Sequence, residues 1–195
     1  MIIGITGGIG TGKSTVLKIL KDRYYFHVFE ADKMGHEVIK PGTKAHDDIV
    51  NYFGYDILKP DEFIDRGILG EMAFNDSEKL EYLNGIIHPA VIKEIKQRIK
   101  RIASNEEDAN FVVEAALLFE SGFDSICDQI WYVYADNDTR RKRIKEERGL
   151  SDEKIDSIIS HQLNEEEFKR RADVVLDNSN SFDKTIEQLE KLLVV

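Results

Sequence analysis

Runs of consecutive apolar residues recur along the chain and predict five β-strands. They are Ile2–Ile5, Val28–Phe29, Phe111–Val113, Ile130–Tyr134 and Val174–Leu176. The runs show little alternation of apolar and polar residues, which is typical of strands covered on both faces of a parallel sheet. The pattern therefore favours a central sheet enclosed by helices.

Other segments have apolar residues at helical spacing and predict amphipathic helices between and after the strands. Three such stripes are Val16, Ile19 and Leu20; Val91, Ile92, Ile95, Ile99 and Ile102; and Ile186, Leu189 and Leu193. Strands that alternate with helices indicate an α/β fold.

The stretch between the second and third predicted strands is unusually long. About 80 residues separate Phe29 from Phe111, their pattern is mostly helical, and all three prolines of the chain fall among them. A crossover between parallel strands needs only about a dozen residues. We interpret the stretch as a helical insertion that holds a second substrate, with a purely structural elaboration as the alternative.

A glycine-rich motif directly follows the first predicted strand. Residues 7–14 have the sequence GGIGTGKS and match G-x-x-x-x-G-K-[ST] in full. Glycines let backbone N–H groups approach phosphate oxygens, and a helix beginning near Lys13 points its N–H groups and positive dipole end at the same anion. In such loops the lysine contacts the β- and γ-phosphates and the serine hydroxyl binds Mg²⁺. We therefore predict an ATP and Mg²⁺ site, with Ser14 as the metal ligand, formed by Gly8, Ile9, Gly10, Thr11, Gly12, Lys13, Ser14 and Thr15.

The remainder of the chain favours a kinase among the proteins that carry this loop. It has no N-K-x-D motif for recognising guanine, and it is shorter than ATPases that couple hydrolysis to motion.

A kinase needs a carboxylate near the acceptor hydroxyl. Asp32 follows the second strand, at the edge where ligands of open α/β sheets bind; a helix N-cap is the alternative role. Glu30 is a weaker candidate. For Glu114, which ends the third strand, a role near magnesium or water and a plain structural role as a strand-end carboxylate or helix cap remain equally open.

Six basic residues fall within positions 140–148. On a helix, Arg140 and Arg143 share one side, while Arg141, Lys145 and Arg148 share another. A solvated helix face explains most of them, and one or two arginines would reach ATP phosphates from a lid. Nucleic-acid binding is a third interpretation.

Composition and charge narrow these interpretations. The chain has 195 residues with 42% hydrophobic and 33% charged residues, which suits one soluble α/β domain with an inserted subdomain. A net charge of −10 disfavours nucleic acid as a partner. There is no apolar run near the roughly 20 residues that a membrane helix needs, no targeting segment and a single cysteine, Cys127. We expect a cytoplasmic protein without a membrane partner, and assume a monomer.

Short motifs in a fixed order extend over nearly the whole chain. They are GITGGIGTGKST at 4–15, AD at 31–32, FG at 53–54, IDRGIL at 64–69, LNGIIHP at 83–89, LLFE at 117–120, Gln162 and ADVVLDN at 172–178. In these motifs the chain resembles the dephospho-coenzyme A kinase family.

The resemblance implies transfer of the ATP γ-phosphate to the ribose 3′-hydroxyl of the small-molecule substrate dephospho-coenzyme A. It implies a three-layer P-loop NTPase fold with a five-stranded parallel sheet, a helical insertion and a lid. The expected nucleotide-binding core is residues 1–33 and 108–195, with the lid at about 138–165; the expected coenzyme A-binding insertion is residues 34–107.

The resemblance also assigns roles to single residues. Asp32 becomes the acid–base residue, with Lys13 and Arg143 as further catalytic residues. Arg66 and His88 become candidates, with Asp32, for holding the acceptor. An alternative for His88 is that it merely precedes a helix whose first residue is the following proline.

The chain departs from the family pattern at four places. Glu30 replaces an aspartate, residues 114–116 replace a stretch that ends in proline, Arg140 stands where glutamine is frequent, and Arg148 is one position further from Arg143 than expected. Two other functions stay open: another P-loop small-molecule or nucleoside kinase, against which the motifs at 83–89 and 172–178 argue, and a non-catalytic ATP-binding switch, which the long insertion and Asp32 disfavour.

Overall fold

A parallel sheet of five strands organises the fold in the computed structural model, which describes residues 1–193. The strands are β1 (Ile2–Thr6), β2 (His27–Glu30), β3 (Phe111–Glu114), β4 (Gln129–Tyr134) and β5 (Val174–Asp177), in the order β2-β3-β1-β4-β5. Every predicted strand is present, with bounds within one residue of the prediction. In the register of the sheet, Ile3 of β1 lies opposite Val112 of β3 and Gln129 of β4.

Helices fill the stretches between the strands. Within residues 1–193 they are α1 (Lys13–Tyr24), α2 (Ala31–Val38), α3 (Lys44–Phe53), α4 (Arg66–Phe74), α5 (Ser77–Ala103), α6 (Asn137–Arg148), α7 (Asp152–Ser160), α8 (Glu165–Arg171) and α9 (Phe182–Leu193). Short 3₁₀ turns lie at Tyr55–Ile57 and Phe123–Ile126. The predicted α/β fold with a five-stranded parallel sheet is confirmed, and the long stretch before β3 is mostly helical, as expected.

The chain divides into two compact units. The first contains residues 1–28, 109–118 and 127 onward, and the second contains residues 29–108 and 119–126. The first unit carries β1, β3, β4 and β5 with α1 and α6 to α9. The second unit carries α2 to α5.

Apolar side chains of the sheet and of two helices form the core of the first unit. Ile3 and Ile5 of β1 are fully buried, together with Val16 and Leu20 of α1 and Leu189 of α9. These helix residues belong to the stripes that the sequence predicts. Burying an aliphatic side chain contributes about 1.5–3 kcal/mol, so the stripes hold α1 against the sheet and fix the position of the loop that precedes it.

The second unit is built around α5, which has 27 residues and packs against α2, α3 and α4. Val91 and Ile95 of its predicted stripe are buried. The helix does not begin at Pro89, so that alternative for His88 is wrong. The Asp76 carboxylate caps it well before this point, accepting hydrogen bonds from two backbone N–H groups. Within residues 1–193, no helix has the length and apolar character needed to cross a membrane.

Candidate active site

The candidate phosphate loop connects β1 to α1. The helix begins at Lys13, as predicted, and Gly12 stands at its N-cap with φ of 85°. A Cβ on Gly12 would lie 2.1 Å from Nδ2 of Asn178, so this position requires glycine for both its backbone angle and its space. Gly12 offers no side-chain cap. The start of α1 is therefore suited to an anionic ligand.

Lys13 lies over the loop that precedes it. Its Nζ donates a hydrogen bond to the Gly7 carbonyl at 2.8 Å and lies 3.9 Å from Oε1 of Glu114 at the end of β3. The two side chains are only 16% and 13% exposed, so water screens their attraction weakly. Glu114, whose role the sequence left open, is thus an ion-pair partner of the loop lysine.

A buried amide supports the loop from the β5–α9 connection. Asn178 is 3% exposed; its Nδ2 donates to the Thr11 carbonyl at 2.8 Å and its Oδ1 accepts from the Thr185 hydroxyl at 2.8 Å. The Thr11 hydroxyl in turn donates to the Gly8 carbonyl at 2.9 Å. Asn178 belongs to a motif noted in the sequence, whereas nothing in the sequence singles out Thr185.

Arg143 of α6 contacts the same part of the loop. Its Nη2 donates to the Asn178 carbonyl at 2.8 Å and its Nη1 to the Thr11 carbonyl at 3.4 Å. The structure therefore brings the predicted lid arginine together with the phosphate loop.

Arg140, one turn earlier on α6, reaches another residue of the loop. Its Nε donates to the Ile9 carbonyl at 3.0 Å, and its Nη2 lies 3.4 Å from Oε1 of Gln162. The same Oε1 accepts a hydrogen bond from the Ile9 N–H at 3.0 Å. Burial lowers the pKa of the Arg140 guanidinium, which nevertheless stays charged because its ordinary pKa is so high.

The basic residues on the other side of α6 have different partners. Arg141 pairs with Asp152, at 3.2 Å, and with Asp156 of α7, and Lys145 pairs with Asp152 at 2.8 Å. The predicted division into two helix sides is confirmed for Arg140 and Arg143 on one side and for Arg141 and Lys145 on the other. Arg140 and Arg143 contact the loop, whereas Arg141 and Lys145 pair with residues of α7.

Asp32 lies in the first turn of α2, in the second unit. Glu30 occupies the N-cap position, so the N-cap alternative for Asp32 is wrong. The Glu30 carboxylate pairs with Lys33 at 2.7 Å on the surface. Asp32 is exposed and thus accessible to a ligand.

A cluster of cationic and titratable groups accompanies Asp32. Arg66 begins α4 directly after its cap Asp65, and its Nη1 lies 3.3 Å from Nδ1 of His36. Burial lowers the pKa of His36, with Arg66 adding to this effect and Asp32 opposing it. Burial also lowers the pKa of His88, again opposed by Asp32. The Asp32 carboxylate thus acts on both imidazoles and Arg66 acts on His36, so Asp32, Arg66 and His88 belong to one region of the second unit.

Two open cavities flank this cluster. One of about 340 Å³ is lined by the cationic or titratable residues His36, Lys40, Lys59 and Arg66, with Asp61 as its one acidic lining residue. The other, of about 500 Å³, is lined by residues of α5, including Asn84 and His88, and by Glu120. Sequence reasoning missed Lys40 and Lys59, because neither lies in a motif. Among residues 1–193, no group of three or more His, Cys, Asp or Glu side chains could hold a metal ion by itself.

Comparisons with known proteins agree with this arrangement. The sequence profile of the family described as dephospho-CoA kinase matches residues 1–184. The chain is 41% identical to the dephospho-CoA kinase of Carboxydothermus hydrogenoformans, covering 98% of this chain and 92% of the relative. It is 39% identical to that of Fusobacterium nucleatum subsp. nucleatum, over 98% of this chain and 96% of the relative. The solved structure of dephospho-CoA kinase from Campylobacter jejuni aligns with a TM-score of 0.72 at 28% identity, covering 98% of this chain and 96% of that one.

Proposed function

The chain belongs to the dephospho-CoA kinase family, and we propose that the phosphate loop and the Asp32 cluster carry out the reaction of that family. The protein is an ATP-dependent kinase that acts on an alcohol, transferring the γ-phosphate of ATP to the ribose 3′-hydroxyl of dephospho-coenzyme A. The products are coenzyme A and ADP. The observation that carries this conclusion is the family match over residues 1–184, which includes both the loop and the cluster. The comparisons support this function and neither of the two alternatives.

In the proposed mechanism, Gly8 to Thr15 bind the phosphates of ATP. Backbone N–H groups at the start of α1 hold the phosphate oxygens, and Lys13 exchanges the Gly7 carbonyl for the β- and γ-phosphates. Glu114 keeps the lysine side chain in place during this exchange. Lys13 and Arg143 stabilise the negative charge on the phosphoryl group as it is transferred.

Mg²⁺ would accompany the nucleotide, with the Ser14 hydroxyl as its protein ligand. Magnesium prefers oxygen ligands and takes most of them from substrate phosphates and water, so a single hydroxyl is a suitable protein contribution. Ser14 is exposed in the first turn of α1, next to Lys13. When bound, the ion neutralises charge on the phosphates.

The acceptor would bind in the second unit. We assign Asp32 as the base that accepts the proton of the 3′-hydroxyl as the oxygen attacks the γ-phosphate. Arg66 and His88 hold the acceptor, and the basic cavity beside Arg66 suits the diphosphate of dephospho-coenzyme A. In this assignment residues 34–107 serve the acceptor, the core serves ATP, and the lid at about 138–165 closes to exclude water.

The proposal also covers the cellular location, oligomeric state and partners of the enzyme. We assume a cytoplasmic monomer that acts on small molecules. The single cysteine fits a reducing compartment, and the net charge of −10 disfavours nucleic acid.

Release of ADP from Mg-ATP, measured with dephospho-coenzyme A, a nucleoside and shikimate as acceptors, tests the proposal. We expect acceleration by dephospho-coenzyme A alone, collapse of that activity in Asp32→Asn, and survival in the neighbouring control Glu30→Asp. Turnover on another alcohol without acceleration by dephospho-coenzyme A contradicts the acceptor. Tight ATP binding without turnover on any acceptor indicates a switch instead.

A further inference from the structure

Ile9 of the phosphate loop is held at both of its backbone polar groups by side chains that are distant in sequence. Its carbonyl accepts from Arg140 Nε at 3.0 Å, and its N–H donates to Gln162 Oε1 at 3.0 Å. Arg140 Nη2 lies 3.4 Å from the same Oε1, which closes a ring of three contacts. The side chains of the loop itself hold other positions: the Thr11 hydroxyl donates to the Gly8 carbonyl and Lys13 Nζ donates to the Gly7 carbonyl.

The contact between this ring and the loop is close. A Cβ on Gly8 would lie 2.5 Å from Arg140 Nη2 and 2.8 Å from Gln162 Oε1. Both side chains are partly buried, and a hydrogen bond from a charged donor in such surroundings is stronger than one between neutral groups.

The two side chains come from separate parts of the predicted lid. Arg140 lies in the first turn of α6, whereas Gln162 lies between α7 and α8. Any conformation of the loop that moves Ile9 must therefore break contacts with both parts.

We propose that Arg140 is a positioning residue for ATP: it fixes the Ile9 carbonyl directly and holds the Gln162 amide oxygen on the Ile9 N–H. The first half of the loop is then set in one conformation before the nucleotide arrives. Ordering a flexible segment during binding costs affinity, and a segment that is already ordered avoids this cost. The inference rests on the proposed function in that the ligand of the loop is ATP.

Isothermal titration calorimetry with Mg-ATP, without acceptor, tests the proposal on Arg140→Ala, Arg140→Lys, Gln162→Ala and the double alanine variant. Losing hydrogen bonds to a charged group should weaken ATP binding roughly ten- to hundredfold in R140A. The ATP affinity of R140K should lie between those of R140A and the wild type. A lysine ammonium can reach the Ile9 carbonyl, but it lacks the planar guanidinium that contacts the Ile9 carbonyl and Gln162 Oε1 together. The double variant should resemble R140A, since residues that act as a unit are not additive.

The matched control is Arg141→Ala, which removes the adjacent arginine whose partners lie on α7. It should bind ATP within about twofold of the wild type, as expected for an exposed ion pair. In steady-state assays R140A should raise KM for ATP while kcat and KM for the acceptor change little.

Equal ATP affinity in R140A and R141A, with only the melting temperature lowered in R140A, would show a contact that merely stabilises the fold and would overturn the proposal. Additive losses in R140A and Q162A would overturn the coupling between them. Should R140A not fold, R140K and Q162A supply the same comparison. A wild-type protein that binds ATP but ignores dephospho-coenzyme A would contradict the proposed acceptor and leave the inference on Arg140 intact.

Discussion

Lys13 is the residue on which phosphoryl transfer should depend most directly. Its ammonium lies on the Gly7 carbonyl and beside Glu114, in a mostly buried position where a charge contact is strong. We predict that Lys13→Ala lowers kcat/KM by about 10²–10³, the usual cost of one contact to the transferring charge. Initial rates at varied ATP measure this. Lys18→Ala, which changes an exposed lysine of the same helix, should keep near-normal activity; equal losses in both variants would contradict the assigned role.

His88 should make stability depend on pH. Burial lowers its pKa from the ordinary value of 6.5, so at pH values between the two the unfolded chain binds more protons than the folded one. Stability is therefore complete above the ordinary pKa and is lost as the pH falls through the lowered pKa. We predict that His88→Gln reduces this loss, measured as the free energy of unfolding in urea at pH 7.5 and at successively lower pH. An unchanged pH dependence, matching that of the exposed control His161→Gln, would contradict it.

The sequence predicts single residues well where the chemistry is local. The phosphate loop is recognisable because each of its positions is dictated by neighbours in the chain. The support of the loop is not local: Asn178 and Thr11 are 167 positions apart, and only the fold brings them together. Arg140 is noted in the sequence as part of the basic segment and as a departure from the family pattern, but its contact with Ile9 depends on how α6 packs.

Asn178 connects three elements and should contribute to stability accordingly. Its amide joins the β5–α9 connection to the phosphate loop and to Thr185 of α9, all of them buried. Asn178→Ala would leave the Thr11 carbonyl and the Thr185 hydroxyl without these partners in a dry environment. We predict a loss of about 1–3 kcal/mol in the free energy of unfolding, because the Thr185 hydroxyl loses its Asn178 partner while the Thr11 carbonyl keeps only the longer hydrogen bond from Arg143 Nη1, at 3.4 Å.

Urea unfolding of Asn178→Ala and of the exposed neighbour Asn180→Ala provides the comparison. The control should change stability by less than about 0.5 kcal/mol, as surface substitutions usually do. A loss in Asn178→Ala no larger than in the control would mean that water replaces the amide and that the three elements are held by other contacts.

At the level of elements, the strands were predictable because short continuous apolar runs are typical of strands buried on both faces of a parallel sheet. The helices of the second unit were harder to delimit. Pro89 suggested a helix start, yet it lies inside α5, whose capping residue Asp76 determines where the helix begins. A proline in a helix removes one hydrogen bond and crowds the carbonyl four positions earlier, which here belongs to Gly85. Packing of α5 against three other helices offsets that cost, and such packing is not visible in a local pattern.

For the whole molecule, binding anionic substrates requires local cations against a net charge of −10. The first unit supplies Lys13, Arg140 and Arg143 around the phosphate loop. The second supplies Lys40, Lys59 and Arg66 around one cavity. Each unit thus has its own positive site, which agrees with our assignment of ATP to one and dephospho-coenzyme A to the other.

This assignment predicts that the two substrates stabilise different parts of the chain. Hydrogen–deuterium exchange with ATP should slow mainly in the phosphate loop and α1, and with dephospho-coenzyme A mainly in α2 and at the start of α4. Each ligand at a hundredfold excess over its dissociation constant should add about 2.7 kcal/mol to the free energy of unfolding. Lys13→Ala should weaken the stabilisation by ATP and retain that by dephospho-coenzyme A, since our assignment places Lys13 in the nucleotide site alone. Protection by dephospho-coenzyme A confined to the loop and α1, or lost in Lys13→Ala, would show that the second unit does not hold the acceptor.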